Sequence, residues 1–403
     1  MKKIGRTIHL WLGLVCGSVF VVLGLTGTVI AWLPELDRTL NPALLQAAPQ
    51  NGLEQGAPLR VTPQAVQAVA NRLAADPAYG RPSQIAFPSF AGDVWVATYR
   101  TPAGKSAFEL SVSRQVMLDP ATLQVLGERN WGETGLTRPL LMPTLFHLHR
   151  YMVAGEAGKT LVGICGIVMV IVALSGLILW WPKPTLSALR AALTVRYGGS
   201  LPRFNYSLHR AVGFFLAPAL LVQGFSGGYM NLPNVVVPAV KVVAPVTSSA
   251  KLANRDPDAA SSLSVEAALA QAQGVFPSAR ISRVVIPSKA GVPYEVRVRQ
   301  EGEIRHDDGA TRITVDSASG EVLRVVDPLN GKRGDALLAW MFPLHTGDAF
   351  GIAGRIFISL LGLMPLVFMV TGVAVWLKKR RGKRATRPAL PGSLPAQASS
   401  AVR

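Results

Sequence analysis

Apolar residues along this chain gather into four long runs. Residues 10–33, 160–181, 211–240 and 356–377 contain no charged side chain. A helix needs about 20 apolar residues to cross the hydrocarbon of a bilayer, so each run is expected to span a membrane. The third is longer than a span requires and carries Pro218, Pro233 and Pro238, which places the expected end of its helix near Leu232. The first follows Lys2, Lys3 and Arg6, as a secretory signal would. Its apolar part exceeds the roughly 7–15 residues of a signal core, and no small-x-small cleavage site follows at the right place. It is read as a retained helix.

Between the runs the periodicity changes. "TPQAVQAVANRLAA" and "SVEAALAQAQGVF" have helical spacing behind the N-cap residues Thr62 and Ser264. "DVWVATYR" and "YEVRVRQ" alternate as strands do. "VMLDPATLQVLGE" and "ITVDSASGEVLRV" each read as two strands around a turn that contains Asp119 or Asp316, which predicts two hairpins. Two small α+β domains are therefore expected outside the membrane.

These elements recur. A shift of 200 lays the first run on the third, matching His9 to His209, Gly13 to Gly213, Gly24 to Gly224 and Thr26-Gly27 to Ser226-Gly227. A shift of 196 lays the second on the fourth, matching His149 to His345, Gly158 to Gly354, Lys159 to Arg355, Gly166 to Gly362, Gly176 to Gly372 and Trp180 to Trp376. The expected fold is an α-helical membrane protein of four transmembrane helices, made by duplicating a two-helix unit, with two α+β outer domains. The first and third helices run the same way, so the halves should be related by an axis along the membrane normal. Spans are expected within residues 1–33, 159–181, 209–232 and 354–377. Outer domains follow at 34–158 and 233–353, a short loop at 182–208, and a basic, disordered tail at 378–403.

Composition agrees, at 49% hydrophobic and only 16% charged. A net charge of +18 would suit a nucleic-acid binder, but its distribution speaks for something else. Residues 1–9, 182–210 and 378–403 carry three, five and eight basic groups and no Asp or Glu, which is nearly all of the excess. Such short basic flanks obey the positive-inside rule. They place both termini and the middle loop in the cytoplasm and both long segments outside. No nucleic-acid partner is expected; the basic tail is instead suited to anionic membrane lipids. Cys16 and Cys165 both lie within apolar runs, so no disulfide framework holds the outer domains. There is no C-x-x-C-H, which excludes c-type haem attachment.

Four of the six histidines lie beside the ends of the runs. The topology sorts them into an inner layer, His9 and His209, and an outer layer, His149 and His345. Two imidazoles facing each other across a bundle can hold a b-type haem, one from each side. A single histidine at a membrane boundary more often orients its polar edge towards headgroups, but four at duplicated, opposed positions favour ligation. Gly13, Gly17, Gly24 and Gly27 share a face with His9, as Gly213, Ala217, Gly224 and Gly227 do with His209. The deeper glycines suit close helix packing; Gly13 and Gly213, one turn from a histidine, are the cofactor candidates. His147, whose repeat partner is Pro343, is a secondary candidate or neighbour. His306, in "RHDDG", is expected to be solvated. Arg150 and Arg210 adjoin candidate ligands and suit either haem propionates or interfacial anchoring; the same choice applies to Arg6, Lys159 and Arg355.

The pattern "IHLWLGLVCGSVFVVLGLTG", "LHRYMVAGEAGKTLVG…LSGLILWWP", "LHRAVGFF" and "PLHTGDAFGIAGRI…TGVAVW" resembles the PepSY-associated transmembrane family of bacterial inner-membrane proteins. The likeness covers nearly all of the chain before about Lys378. It implies four helices, PepSY-type periplasmic domains and a link to iron acquisition. Some members of that family are siderophore reductases with two b-haems. For this chain that implies His9 and His209 as ligands of the inner haem, and His149 and His345 as ligands of the outer. The expected partners are a ferric siderophore or other ferric chelate outside, and quinol or a cytoplasmic donor inside. The short cytoplasmic segments contain no Gly-rich dinucleotide fingerprint. Two rival roles are a non-redox envelope regulator or inhibitor, and an accessory component of siderophore transport. No catalytic triad or zinc motif is visible in the outer segments.

Overall fold

A computed structural model describes residues 2–49, 52–101, 106–248 and 250–385. The first half runs α1 (Lys2–Val15), α2 (Gly17–Ile30), α3 (Leu33–Leu40), α4 (Pro42–Leu45) and α5 (Pro63–Ala74). Strands β1 (Gln84–Ala86), β2 (Trp95–Arg100), β3 (Ser113–Leu118) and β4 (Val125–Trp131) follow, then α6 (Arg138–Tyr151) and α7 (Gly155–Trp180). After α8 (Leu186–Leu193), α9 (Leu201–Asn231) and α10 (Pro233–Val243) come α11 (Val265–Val275) and strands β5 (Arg280–Val285), β6 (Tyr294–Arg299), β7 (Thr311–Val315) and β8 (Val322–Val326). The chain closes with α12 (Arg333–Thr346) and α13 (Gly351–Ala385).

Three helices, α7, α9 and α13, are each long and apolar enough to cross a membrane. The first apolar run differs from the expected straight helix. It is broken at Cys16, with α1 and α2 meeting at 57°. The break adjoins Gly17-Ser18, a small pair of the kind at which helices kink. Gly17 also lies against α13, where an added Cβ would stand 2.6 Å from Met369 Sδ. Counted as one bent span, the pair makes a fourth. At the other end α13 does not stop near Leu377 but runs to Ala385. Lysine and arginine are good helix formers and are favoured by the helix dipole at a C-terminus. The remainder of the expected disordered tail, residues 386–403, lies outside the described residues.

Backbone contact at glycine sets the bundle. A Cβ on Gly24 would stand 2.2 Å from Gly362 O, and one on Gly224 would stand 2.7 Å from Gly166 O. Thus α2 packs on α13 and α9 packs on α7 through paired glycines, as small-residue interfaces allow in membranes. Close glycines also fold the short helices back onto the spans. Gly158 lies under Tyr151 O and Gly354 under Gly347 O, closer than any side chain would permit.

The expected hairpins form as β3–β4 and β7–β8. Thr62 and Ser264 cap α5 and α11, their hydroxyls accepting from Ala65 N and Ala267 N. The strands of the two expected outer domains join in one antiparallel sheet of order β4-β3-β2-β1-β5-β6-β7-β8. The seam is β1 against β5, with Ile85 opposite Val284 and both fully buried. An unpaired edge exposes a row of backbone donors and acceptors, and edge-to-edge pairing satisfies both edges at once. Helices α5 and α11 cover one face, so that Val69, Leu73, Leu269, Tyr294, Val296 and Ile313 share a single core. On the bundle side Asp37 of α3 holds Arg129 of β4 in a buried ion pair at 2.8 Å. In the second half Asp335 of α12 accepts from Thr247 N and Oγ1 at 2.9 and 2.6 Å.

Candidate functional site: two histidine pairs in the helical bundle

The four repeat-matched histidines meet in pairs. The ring centres of His9 and His209 are 6.2 Å apart with their planes at 87°. Those of His149 and His345 are also 6.2 Å apart, with planes at 69°. His9 lies on α1 and His209 on α9. His149 and His345 lie on α6 and α12, the short helices that precede α7 and α13 on the sheet side. Along α9, seventeen residues separate His209 from Ser226, which touches the second pair. At about 1.5 Å per residue this separates the layers by about 25 Å, close to the hydrocarbon thickness of roughly 30 Å.

Each imidazole is seated on a hydroxyl–glycine dipeptide of a neighbouring helix. His9 Nδ1 lies 3.1 Å from both Ser175 Oγ and Val172 O. His149 Nδ1 lies 3.1 Å from Thr26 Oγ1 and 2.9 Å from Leu23 O. His209 Nδ1 is 3.0 Å from Thr371 Oγ1, and His345 Nδ1 is 2.9 Å from Ser226 Oγ. The glycine that follows each hydroxyl admits the ring. A Cβ at Gly176, Gly27, Gly372 or Gly227 would stand 3.2, 3.1, 3.7 or 3.4 Å from the Cε1 of His9, His149, His209 or His345 respectively. Gly27 and Gly227, expected to serve helix packing, are therefore histidine seats. Gly17, Gly24 and Gly224 do make the close helix contacts.

The hydrogen bonds set the tautomer. Each of the four hydroxyls donates its own proton back to a carbonyl of its helix: Thr26 to Val22, Ser175 to Val172, Ser226 to Val222 and Thr371 to Val367. Such back-bonding is common for Ser and Thr in helices. Towards the imidazole the oxygen is left as an acceptor, as the carbonyls of Leu23 and Val172 also are. Nδ1 must carry the proton, and Nε2 keeps its lone pair. An Nδ1–H held by a neighbouring oxygen, with Nε2 free, is the usual arrangement of a metal-binding histidine. Two imidazoles ligating one metal from opposite sides at about 2.0–2.1 Å, with roughly 1.1 Å from nitrogen to ring centre, have centres about 6.3 Å apart. Both pairs match that spacing. No group of three or more His, Cys, Asp or Glu suited to a metal ion occurs among the described residues.

The other candidates divide. A Cβ at Gly13 would meet nothing within 4 Å and one at Gly213 only Phe368 Cε1 at 3.9 Å, so neither glycine is consumed by helix contact. Arg150 stands over Tyr151 at 5.5 Å, and its Nε is buried with no partner among the described residues. Arg210 donates to Trp180 O at 3.4 Å. His147 is kept out of the pair: it is buried, it donates from Nδ1 to Pro143 O at 2.7 Å, and it stacks on Tyr151. Burial pushes its pKa down. Arg355 is committed to Glu35 and to the Trp32 ring, and Lys159 to Glu156. His306 is exposed, as expected, with its Nδ1 3.3 Å from Asp348 Oδ2.

Ser175 and Thr371 were missed as supporting residues. Their signal was present, because a hydroxyl–glycine dipeptide occurs in each apolar run at the same two shifts that match the histidines.

Three or four apolar spans beneath an extramembrane antiparallel sheet define a helical membrane protein. The chain belongs to the PepSY-associated TM region family, which matches residues 6–379. Comparison with curated proteins finds no match.

Proposed function

We propose that this protein is a di-haem b-type electron carrier of the bacterial inner membrane. In this reading it reduces ferric siderophores or other ferric chelates at the periplasmic face, in iron acquisition. Electrons come from the quinol pool or a cytoplasmic donor. The observation that carries the reading is the fourfold recurrence of one seat. Each imidazole has its Nδ1–H held by a buried oxygen, and the rings of each pair stand 6.2 Å apart, a separation at which both could hold one metal-centred group. A non-redox envelope role would leave four such seats without a purpose, and transport would favour ionisable groups near the midplane, which the four charge-free runs do not carry.

The residues have defined tasks. Nε2 of His9 and His209 would ligate the inner haem, and Nε2 of His149 and His345 the outer. Ser175, Thr26, Thr371 and Ser226 fix ring orientation and raise ligand basicity. Gly13 and Gly213 leave space beside the inner ligands. The unpaired Nε of Arg150 suits a propionate of the outer group, and Arg210 is placed for the inner. When bound, each haem supplies a one-electron Fe(III)/Fe(II) relay. Oxidation of one quinol to quinone, with release of two protons, provides the two electrons that turn two ferric chelates into ferrous ones. Basic cytoplasmic flanks set the orientation, with the sheet in the periplasm. The matched seats, glycine contacts and strand order also support descent from two copies of one unit.

The test is single-turnover reduction by the purified protein in lipid nanodiscs. Reduced protein mixed with a ferric chelate should reoxidise and yield Fe(II), captured by a ferrous-specific dye. His149→Ala should abolish transfer while the inner-layer haem remains. Unchanged transfer in that variant, or no reoxidation of the wild type, would overturn the reading.

A further inference from the structure

One face of the sheet carries a row of arginines. Arg283 of β5 lies directly opposite Arg297 of β6, and Arg297 lies opposite Arg312 of β7. Their neighbours Val296, Val298 and Ile313 point into the core under α5 and α11, so the arginines share the opposite face. Like charges directly across neighbouring strands are destabilising; folding alone gives no reason for the row. The corresponding row of the first half is neutral: Gln84 of β1 opposite Thr98 of β2, which lies opposite Gln115 of β3. Arg129, next in that row on β4, is neutralised by Asp37.

The compensating acids are too few. Asp308 pairs with Arg283 and Asp307 with Arg305, and Glu295 lies on the same face of β6. Arg297 and Arg312 make no ion pair among the described residues, and the Nε atoms of Arg283 and Arg299 are buried without partners. Burial, with Arg305, Arg283 and Arg312 nearby, pushes the Arg297 pKa down to about 10 against the opposing pull of Glu295. It stays charged at neutral pH.

The row also adjoins the outer histidine pair. Arg305, on the β6–β7 connection, sits over the Phe342 ring at 4.3 Å. Beside it His306 reaches Asp348. Phe342 precedes His345 by about one turn of α12, roughly 5 Å along the axis. Tyr229, on α9 just beyond Ser226-Gly227, lies within Coulombic reach of both Arg305 and Arg312.

We propose that Arg283, Arg297, Arg312 and Arg305 form a binding site for a small polyanion, a ferric chelate that presents free carboxylates. Guanidinium groups bind carboxylates in bidentate fashion, and adjacent strands offer three in line. The choice of a ferric ligand rests on the outer pair acting as an electron donor; the binding itself needs no electron.

The experiment therefore uses a redox-inert probe, gallium(III) citrate, titrated calorimetrically into the full-length protein in phosphatidylcholine nanodiscs. The wild type should bind it. Arg312→Gln should weaken binding about tenfold and the double change with Arg297→Gln at least about a hundredfold, with the absorption spectrum unchanged. A gallium trihydroxamate without free carboxylates should bind no differently in the variants. Arg312 is exposed, so its substitution leaves folding intact and decides the matter even if the double variant fails to fold. No binding by the wild type, or equal binding by Arg312→Gln, overturns the proposal. So does displacement of the probe by phosphatidylglycerol retained in an Arg297-dependent manner, which would make the row a lipid-headgroup site. Because gallium(III) is not reduced here, failure of this proposal and failure of the redox reading are seen separately.

Discussion

Replacing Thr371 with valine keeps the side chain's shape and removes one oxygen. That oxygen is buried and is the hydrogen-bond acceptor for His209 Nδ1, at 3.0 Å. Its opposite number His9 has two acceptors, Ser175 Oγ and Val172 O, both at 3.1 Å. The two seats of one layer should therefore respond unequally. Leaving the Nδ1–H of His209 buried and unpaired costs about 1–3 kcal/mol, which is about 5- to 150-fold in the population of the seated ring. Loss of the group that holds a ligating histidine typically weakens a metal site by about 10–100-fold. Thr371→Val should lower inner-layer haem affinity within that range. Ser175→Ala keeps the carbonyl of Val172 and should cost about threefold or less. Thr371→Ser should restore wild-type behaviour. Titration of haem into apo-protein, followed at the Soret band, reads this directly: two tight equivalents for the wild type, one tight and one weakened for Thr371→Val. Equal behaviour of Thr371→Val and Ser175→Ala would refute the role assigned to the hydroxyls.

Two further substitutions test the scaffold. Gly24→Val places a Cβ 2.2 Å from the backbone oxygen of Gly362, and Gly362→Val places one 2.4 Å from the Thr28 hydroxyl and 2.6 Å from the backbone oxygen of Gly24. Either should destabilise the bundle by at least about 1–3 kcal/mol, seen as earlier thermal aggregation in detergent, whereas Gly13→Ala should unfold with the wild type. Arg129→Ala strands Asp37, which is 3% exposed. It should cost about 3–5 kcal/mol and open the β4–α3 contact to limited proteolysis before the bundle melts.

The parts of the fold that were legible in sequence are those with strong periodicity or a local cap. The apolar runs, both hairpins and the helices behind Thr62 and Ser264 have such signals, and all are present. The seam was not legible. β1 is only Gln84–Ala86, too short to show alternation, and its partner β5 is distant in the chain, so no local signal marks their pairing. The bend at Cys16 was hidden because Gly17 is explained only by Met369 lying against it. Within the candidate site the histidines stood out through scarcity and repetition. Ser175 and Thr371 did not, since a hydroxyl in an apolar helix usually bonds only its own backbone; a second acceptor role appears when another helix brings an imidazole to it. Arg355 shows the reverse case, a cation beside the layers whose partner Glu35 lies in the other half.

The central claim is that two opposed histidine pairs each hold one b-type haem. Protein purified from cells supplied with haem should show a Soret band and dithionite-dependent α-bands, with two haems per chain by pyridine haemochrome assay. His209→Ala and His345→Ala should each leave one haem. A wild-type protein with no Soret band, or single variants that both keep two haems, would contradict the account.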